Sequence, residues 1–106
     1  MKNALIITSQ LVQDHEFIYP FYRLKEEGIK VDVYNQSDGI VKGFFGTKIP
    51  PQKDDNIVDL SNINVDDYDI LVLPGGVKSM EILRLDNKAI EIVQQFNKKN
   101  KLIAAI

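Results

Sequence analysis

Three unbroken apolar runs constrain this chain more than any other feature: Ala4-Leu5-Ile6-Ile7-Thr8, Ile70-Leu71-Val72-Leu73 and Leu102-Ile103-Ala104-Ala105-Ile106. A strand with one wet face alternates apolar and polar residues. A strand buried on both faces is apolar throughout, which is the mark of a parallel sheet covered by helices. The segments between the runs fit that reading. Phe17, Ile18, Phe21 and Leu24 recur at helical spacing, with Arg23, Lys25, Glu26 and Glu27 mostly opposite, and Gly28 ends the pattern. Pro20 lies inside it and is tolerable only near the first turn. Lys30 to Tyr34 alternates Val31 and Val33 with charge and reads as a second strand. This β-α-β order implies a right-handed crossover.

The middle, residues 35–69, reads differently. Gly39, Gly43, Gly46, Pro50 and Pro51 interrupt the short runs Ile40-Val41 and Thr47-Lys48-Ile49. They predict a small β-hairpin excursion and a loop, not another βαβ unit. Val77 to Leu83 predicts a short helix. Ala89, Ile90, Val93 and Phe96 predict a longer one between Asn87 and Asn100, with Lys98, Lys99 and Lys101 near its C-terminal end. The expected architecture is a single α/β domain over residues 1–106, doubly wound around a mostly parallel sheet. The run at Leu102–Ile106 is expected to be buried. A buried strand is a poor place for a terminus, so the sequence reads as the N-terminal part of a longer domain, the alternative being a short edge strand that ends the chain.

Composition narrows the chemistry. There is no Cys, which excludes a disulfide framework, a thiolate metal site and, within these 106 residues, a cysteine nucleophile. The single His15 excludes a zinc site of two or more His. A net charge of −2 gives no pull toward nucleic acid or an anionic membrane. No apolar run approaches the roughly 18–20 residues that span a bilayer, and the reading is a cytoplasmic chain. No Gly-x-Gly-x-x-Gly or Walker sequence occurs. No metal or organic cofactor is implied.

Two features could carry chemistry. Pro74-Gly75-Gly76 follows a buried strand. It is a turn on local pattern alone, but paired glycines also allow backbone N–H groups to approach a ligand and hold an oxyanion. Glu16 opens the first helix. It is either an acid favoured by the helix dipole or a carboxylate facing the same crevice as Gly75 and Gly76, able to hold a proton for a nucleophile. His15 reads as a surface residue or a proton relay, and Asp14 as a helix cap. Asp54-Asp55 and Asp66-Asp67-Tyr68-Asp69 lack the spacing of a calcium loop and read as solvated turns. Phe44 and Phe45 read either as an assembly patch or as packing on their own sheet.

Taken together, three segments resemble the ThiJ/PfpI family (also DJ-1/PfpI), in its intracellular-protease-like branch. They are Glu16-Phe17-Ile18-Tyr19-Pro20 with Arg23-Leu24-Lys25-Glu26-Glu27-Gly28, then Tyr68 through Gly76, then Leu102 through Ile106. The resemblance covers essentially the whole chain. It implies a flavodoxin-like three-layer α/β sandwich related to class I glutamine amidotransferases. It maps the acid that contacts the family's nucleophile onto Glu16, and the glycine backbone of the oxyanion hole onto Gly75 and Gly76. It places the reactive Cys directly after Ile106. A further acid found in many members is Gln13 here. The implied activity is a Cys-dependent hydrolase or a glyoxalase- or deglycase-type stress protein. Its substrates would be a small carbonyl compound or a peptide, and the protein would be a dimer or larger homo-oligomer, with no nucleic-acid or membrane partner. The alternative is a non-catalytic flavodoxin-like binding or assembly module.

Overall fold

The computed structural model describes residues 2–37, 41–49 and 56–106. Its elements, in chain order, are β1 (Asn3–Thr8), α1 (Asp14–Glu26), β2 (Lys30–Asn35), the short pair β3 (Val41–Lys42) and β4 (Lys48–Ile49), β5 (Asn56–Ile57), β6 (Ile70–Leu73), α2 (Val77–Leu83), α3 (Asn87–Lys98) and β7 (Leu102–Ala105). Two 3-10 turns, Leu60–Asn62 and Val65–Asp67, precede β6.

The main sheet is parallel, in the order β5-β2-β1-β6-β7, so β1 and β6 lie at its centre. Successive residues of β1 point to opposite faces. Ala4 and Ile6 pack with Val31, Val33 and Val72 against Phe17 and Phe21 of α1 and against Val41 and Ile49 of the hairpin. Leu5 and Ile7 pack with Leu71 against Leu83, Ala89, Ile92 and Phe96 of α2 and α3 and against Leu60, Val65 and Tyr68. Two apolar cores, one on each face, are why the central strands carry no polar alternation. The result is the doubly wound three-layer α/β sandwich expected from the sequence.

Helix α1 tolerates Pro20 beyond its first turn. Proline removes the hydrogen bond that would reach back to the Glu16 carbonyl, at a cost of about 3 kcal/mol inside a helix. Phe17 and Phe21 are fully buried on either side. Burying them contributes about 1.5–3 kcal/mol each, enough to offset the break. The helix ends in a Schellman motif: Gly28 is at φ +77°, its N–H bonds the Lys25 carbonyl at 3.0 Å, and the Ile29 N–H bonds that of Leu24 at 3.1 Å.

Three expectations need correction or limitation. Residues 56–57 belong to the main sheet as β5, pairing parallel with β2 through Asp32↔Asn56 and Val33↔Ile57, where the sequence predicted only a loop. Two edge residues offer no periodicity to read. The run at Leu102–Ile106, expected to be buried, is an exposed edge. It pairs with β6 alone, and Leu102 and Ile106 keep 61% and 62% of their surface. The expected turn at Asp54-Asp55 lies outside the described residues, as do Gly39, Pro50 and Pro51. The hairpin itself is present as β3 and β4, antiparallel, with Val41 opposite Ile49.

Candidate functional site at the ends of the central strands

In open α/β sheets ligands bind beyond the carboxyl ends of the strands. At that end the segments following β1 and β6 meet backbone to backbone. The Gln13 N–H donates to the Gly75 carbonyl at 3.1 Å. Gly76 sits at φ +113°, and a Cβ there would lie 2.8 Å from the Gln13 nitrogen and 3.0 Å from the Leu11 carbonyl oxygen. Only glycine meets both demands, a left-handed backbone and no side-chain volume. Leu11 also has a positive φ, of 60°, and its N–H bonds the Lys42 carbonyl at 3.0 Å, tying the loop to the hairpin.

Glu16 completes this junction. Its half-buried carboxylate accepts the Gly75 N–H through Oε1 at 2.8 Å, across 59 residues of sequence. A Cβ on Gly75 would collide with that same oxygen and stand 2.8 Å from the Ile106 carbonyl oxygen. The Ile106 N–H continues the β6–β7 ladder by bonding the Leu73 carbonyl at 3.1 Å. The Glu16 carboxylate, the Gly75 backbone and the end of β7 therefore share one point. Because Gly75 N–H is engaged by Glu16, Gly76 N–H is the donor of the pair that makes no hydrogen bond among the described residues.

The neighbouring polar residues do other work. His15 is not brought to this point. It is exposed, with its ring edge-on to Phe45 at 6.2 Å between centroids. Asp14 does not cap α1. Gln13 occupies the cap position, without a side-chain bond. Asp14 is buried and its two oxygens accept the Phe45 N–H at 2.8 Å and the Thr47 N–H at 3.2 Å. Burial pushes this carboxyl up, but the hydrogen bonds from Phe45 and Thr47 outweigh it and hold the pKa below the ordinary 3.8. A Cβ on Gly43 would overlap the same carboxylate. Asp14 thus clamps the hairpin to α1. Sequence reasoning missed this role, since nothing local marks partners 31 and 33 residues away. Phe44 and Phe45 are exposed and pack edge-on against each other, with ring centroids 5.8 Å apart.

Among the described residues, no three His, Asp or Glu side chains form a group able to hold a metal, and no helix is long and apolar enough to cross a membrane. A cavity of about 250 Å³ lined by Ile7, Leu73, Met80, Leu83 and Val93 lies on the other face of the sheet from α1.

Comparison with known proteins agrees with this fold. The DJ-1/PfpI family matches residues 2–106. A deglycase of Pyrococcus abyssi is 38% identical over 105 residues, covering 97% of this chain and 58% of its own length. Deglycase PfpI of Pyrococcus furiosus is 36% identical over 104 residues, covering 96% and 58%. The crystal structure of Drosophila melanogaster DJ-1beta has a TM-score of 0.82 at 28% identity, over 98% of this chain and 54% of that one. The chain spans a little over half the length of these relatives. The family match over nearly every residue, on a sheet of this topology, shows that the chain belongs to the DJ-1/PfpI family.

Proposed function

We propose that the intact protein is a Cys-dependent enzyme acting on small carbonyl compounds or their adducts, of the deglycase or glyoxalase type, with a Cys directly after Ile106. The observation that carries this reading is the meeting of Glu16 Oε1, Gly75 N–H and the Ile106 carbonyl at one point. The closeness of the Ile106 carbonyl to this contact supports a role for the residue that would follow it. The deglycases of the two Pyrococcus species, with more than a third of their matched residues identical, support the substrate class.

Each part has a role in this chemistry. A thiolate adds to the aldehyde carbon, and the C=O electron pair moves to oxygen. That oxyanion takes a hydrogen bond from a backbone donor, for which Gly76 N–H is available, and then a proton. Glu16 Oε1 is fixed by Gly75, which orients the second oxygen as the proton carrier between sulfur and substrate. For a 2-oxoaldehyde, hydrogen moves from the thiohemiacetal carbon to the neighbouring carbonyl. Water then releases the 2-hydroxy acid and restores the thiol, so the net change is addition of one water.

The exposed Tyr19 and Tyr22 on α1 support a homo-oligomer assembled through that helix, and we read the protein as cytoplasmic. Sedimentation of the complete protein checks the oligomer, and a monomer at micromolar concentration refutes it. For the activity, the complete protein and its Cys→Ala variant are assayed with methylglyoxal and with a glycated peptide. Turnover abolished in the variant supports the proposal. A reading frame without Cys after Ile106, or equal turnover in both proteins, overturns it.

A further inference from the structure

Beside the Glu16–Gly75 contact a second feature has no role in the chemistry above: a cavity of about 150 Å³ lined by Gln13, Phe44, Gly76, Val77 and Lys78. It shares Gly76 with the turn that carries Gly75, and Gln13 with the loop bonded to that turn. It therefore adjoins the turn whose Gly75 N–H donates to Glu16. Its apolar walls are the Phe44 ring and the Val77 side chain, which keep 64% and 78% of their surface.

The wall is built, not incidental. The Phe44 N–H bonds the Val12 carbonyl at 2.9 Å. The next residue, Phe45, is held by Asp14, and Lys42 N–H bonds Gln10 Oε1 at 3.1 Å. Behind the turn, Val41 and Ile49 are sunk in the core. The backbone that carries Phe44 is thus fastened at both ends of its turn. The charge at the rim decides little: Lys78 Nζ is 3.8 Å from Glu81 Oε2, and both side chains are more than half exposed. Selection by this cavity is by shape and apolarity. A volume near 150 Å³ with apolar walls accommodates about one benzene ring.

We propose that the cavity formed by Phe44, Gly76 and Val77 is a specificity subsite for the substituent of the carbonyl substrate, selecting a ring-sized apolar group over methyl. This rests on the catalytic reading above, and its test is separable from it. The complete protein is assayed with phenylglyoxal and with methylglyoxal. Phe44→Ala is expected to lower the ratio of kcat/KM for phenylglyoxal over methylglyoxal about tenfold, in the range one apolar contact supplies in a pocket. Val77→Ala, on the opposite wall, lowers the same ratio. In parallel, benzyl alcohol, which carries the ring and no carbonyl, is titrated while backbone amide shifts are followed. Saturable shifts at Gly76, Val77 and Lys78, weakened in Phe44→Ala, support the subsite whether or not turnover occurs. Unchanged ratios in both variants overturn it, as does the absence of saturable shifts at these amides. Turnover of neither substrate alongside saturable shifts defeats the catalytic reading and leaves the subsite standing.

Discussion

Replacing Asp14 tests how a single buried carboxylate holds the hairpin. Each oxygen accepts one backbone N–H, from Phe45 and from Thr47. A hydrogen bond to a charged group contributes about 1.5–3 kcal/mol, so the two together contribute about 3–6 kcal/mol at most. Both donors belong to exposed residues, and water replaces part of what Asp14→Ala removes. The expected cost is about 2–3 kcal/mol. Asp14→Asn keeps one acceptor and turns an NH2 toward the other donor, so it should cost about half as much. The hairpin is also held by Val41 and Ile49, whose burial contributes about 3–6 kcal/mol. That exceeds the loss, so the strands stay docked while the turn frays. Amide hydrogen exchange separates the two events. In Asp14→Ala the amides of Phe45 and Thr47 should exchange about 30–100 times faster, following the factor of ten per 1.4 kcal/mol. The ladder amides around Val41 and Ile49 should hold most of their protection.

The same carboxylate sets a pH dependence. Its folded pKa is depressed, so its stabilisation is present above the unfolded value, near 3.8, and is lost as pH falls through the folded pKa. Asp59 and Asp66, also depressed, add to the acid limb, so the signal is the difference between wild type and Asp14→Asn across pH 2–5 (about the span of that titration). If global stability drops in Asp14→Ala while Phe45 and Thr47 exchange as before, the clamp is not local and the reasoning is refuted.

Other perturbations follow from the same geometry. Gly76→Ala forces a side chain into a left-handed backbone with a Cβ 2.8 Å from the Gln13 nitrogen, and should cost about 3 kcal/mol or more by urea unfolding. Tyr68 donates to Asp32 Oδ2 at 2.6 Å in the core, while Oδ1 has no partner among the described residues. Tyr68→Phe should therefore cost about 2–3 kcal/mol, and a smaller loss than 1 kcal/mol means that water already serves the carboxylate. Burial, then the hydrogen bonds to Asp32 and Asp86, raise the Tyr68 and Tyr34 hydroxyls above their ordinary 10.0. Stability from this source is full below pH 10 and declines as pH rises toward the folded values, and the double Phe variant should flatten that alkaline decline in thermal melts. In the complete protein, Glu16→Gln keeps an acceptor for Gly75 but loses the proton carrier. It should melt near wild type and lose about 10²–10⁴ in kcat.

The sheet was legible because burial on two faces leaves an unbroken apolar run, although Leu102–Ile106 carries the same run at the edge. Ala4 to Ile7 and Ile70 to Leu73 had to be central, and central neighbours bring their following loops together. That is how Glu16 and Gly75, 59 residues apart, were readable as facing one crevice. The acid clamp was not legible. An Asp in a first helical turn favours the dipole whatever else it does, so Asp14 looked like its commonest use. Gly43 likewise looked like one more loop glycine, although its missing Cβ is what admits the carboxylate. Helix α1 carries the same lesson from the other side: Pro20 argues locally against a helix, and two buried phenylalanines overrule it. Local preference is worth a few kcal/mol, and tertiary packing decides wherever it supplies as much.

This division also explains the layout of the site. Its acid and its backbone donors are fixed by sheet order, through the pairing of β1 with β6, and any chain with these runs would place them there. Its outer wall is carried by a hairpin held by Asp14, by backbone bonds to the loop after β1, and by Val41 and Ile49 in the core. In the hairpin, Phe44 can be replaced without disturbing the sheet because its ring is exposed, whereas Gly43 must leave room for the Asp14 carboxylate. On the proposed reading, the acid and the backbone donors lie at the strands' ends and the selecting wall lies in the excursion between β2 and β5. Changes in substrate preference should then be obtainable at Phe44, with the Glu16–Gly75 distance left intact.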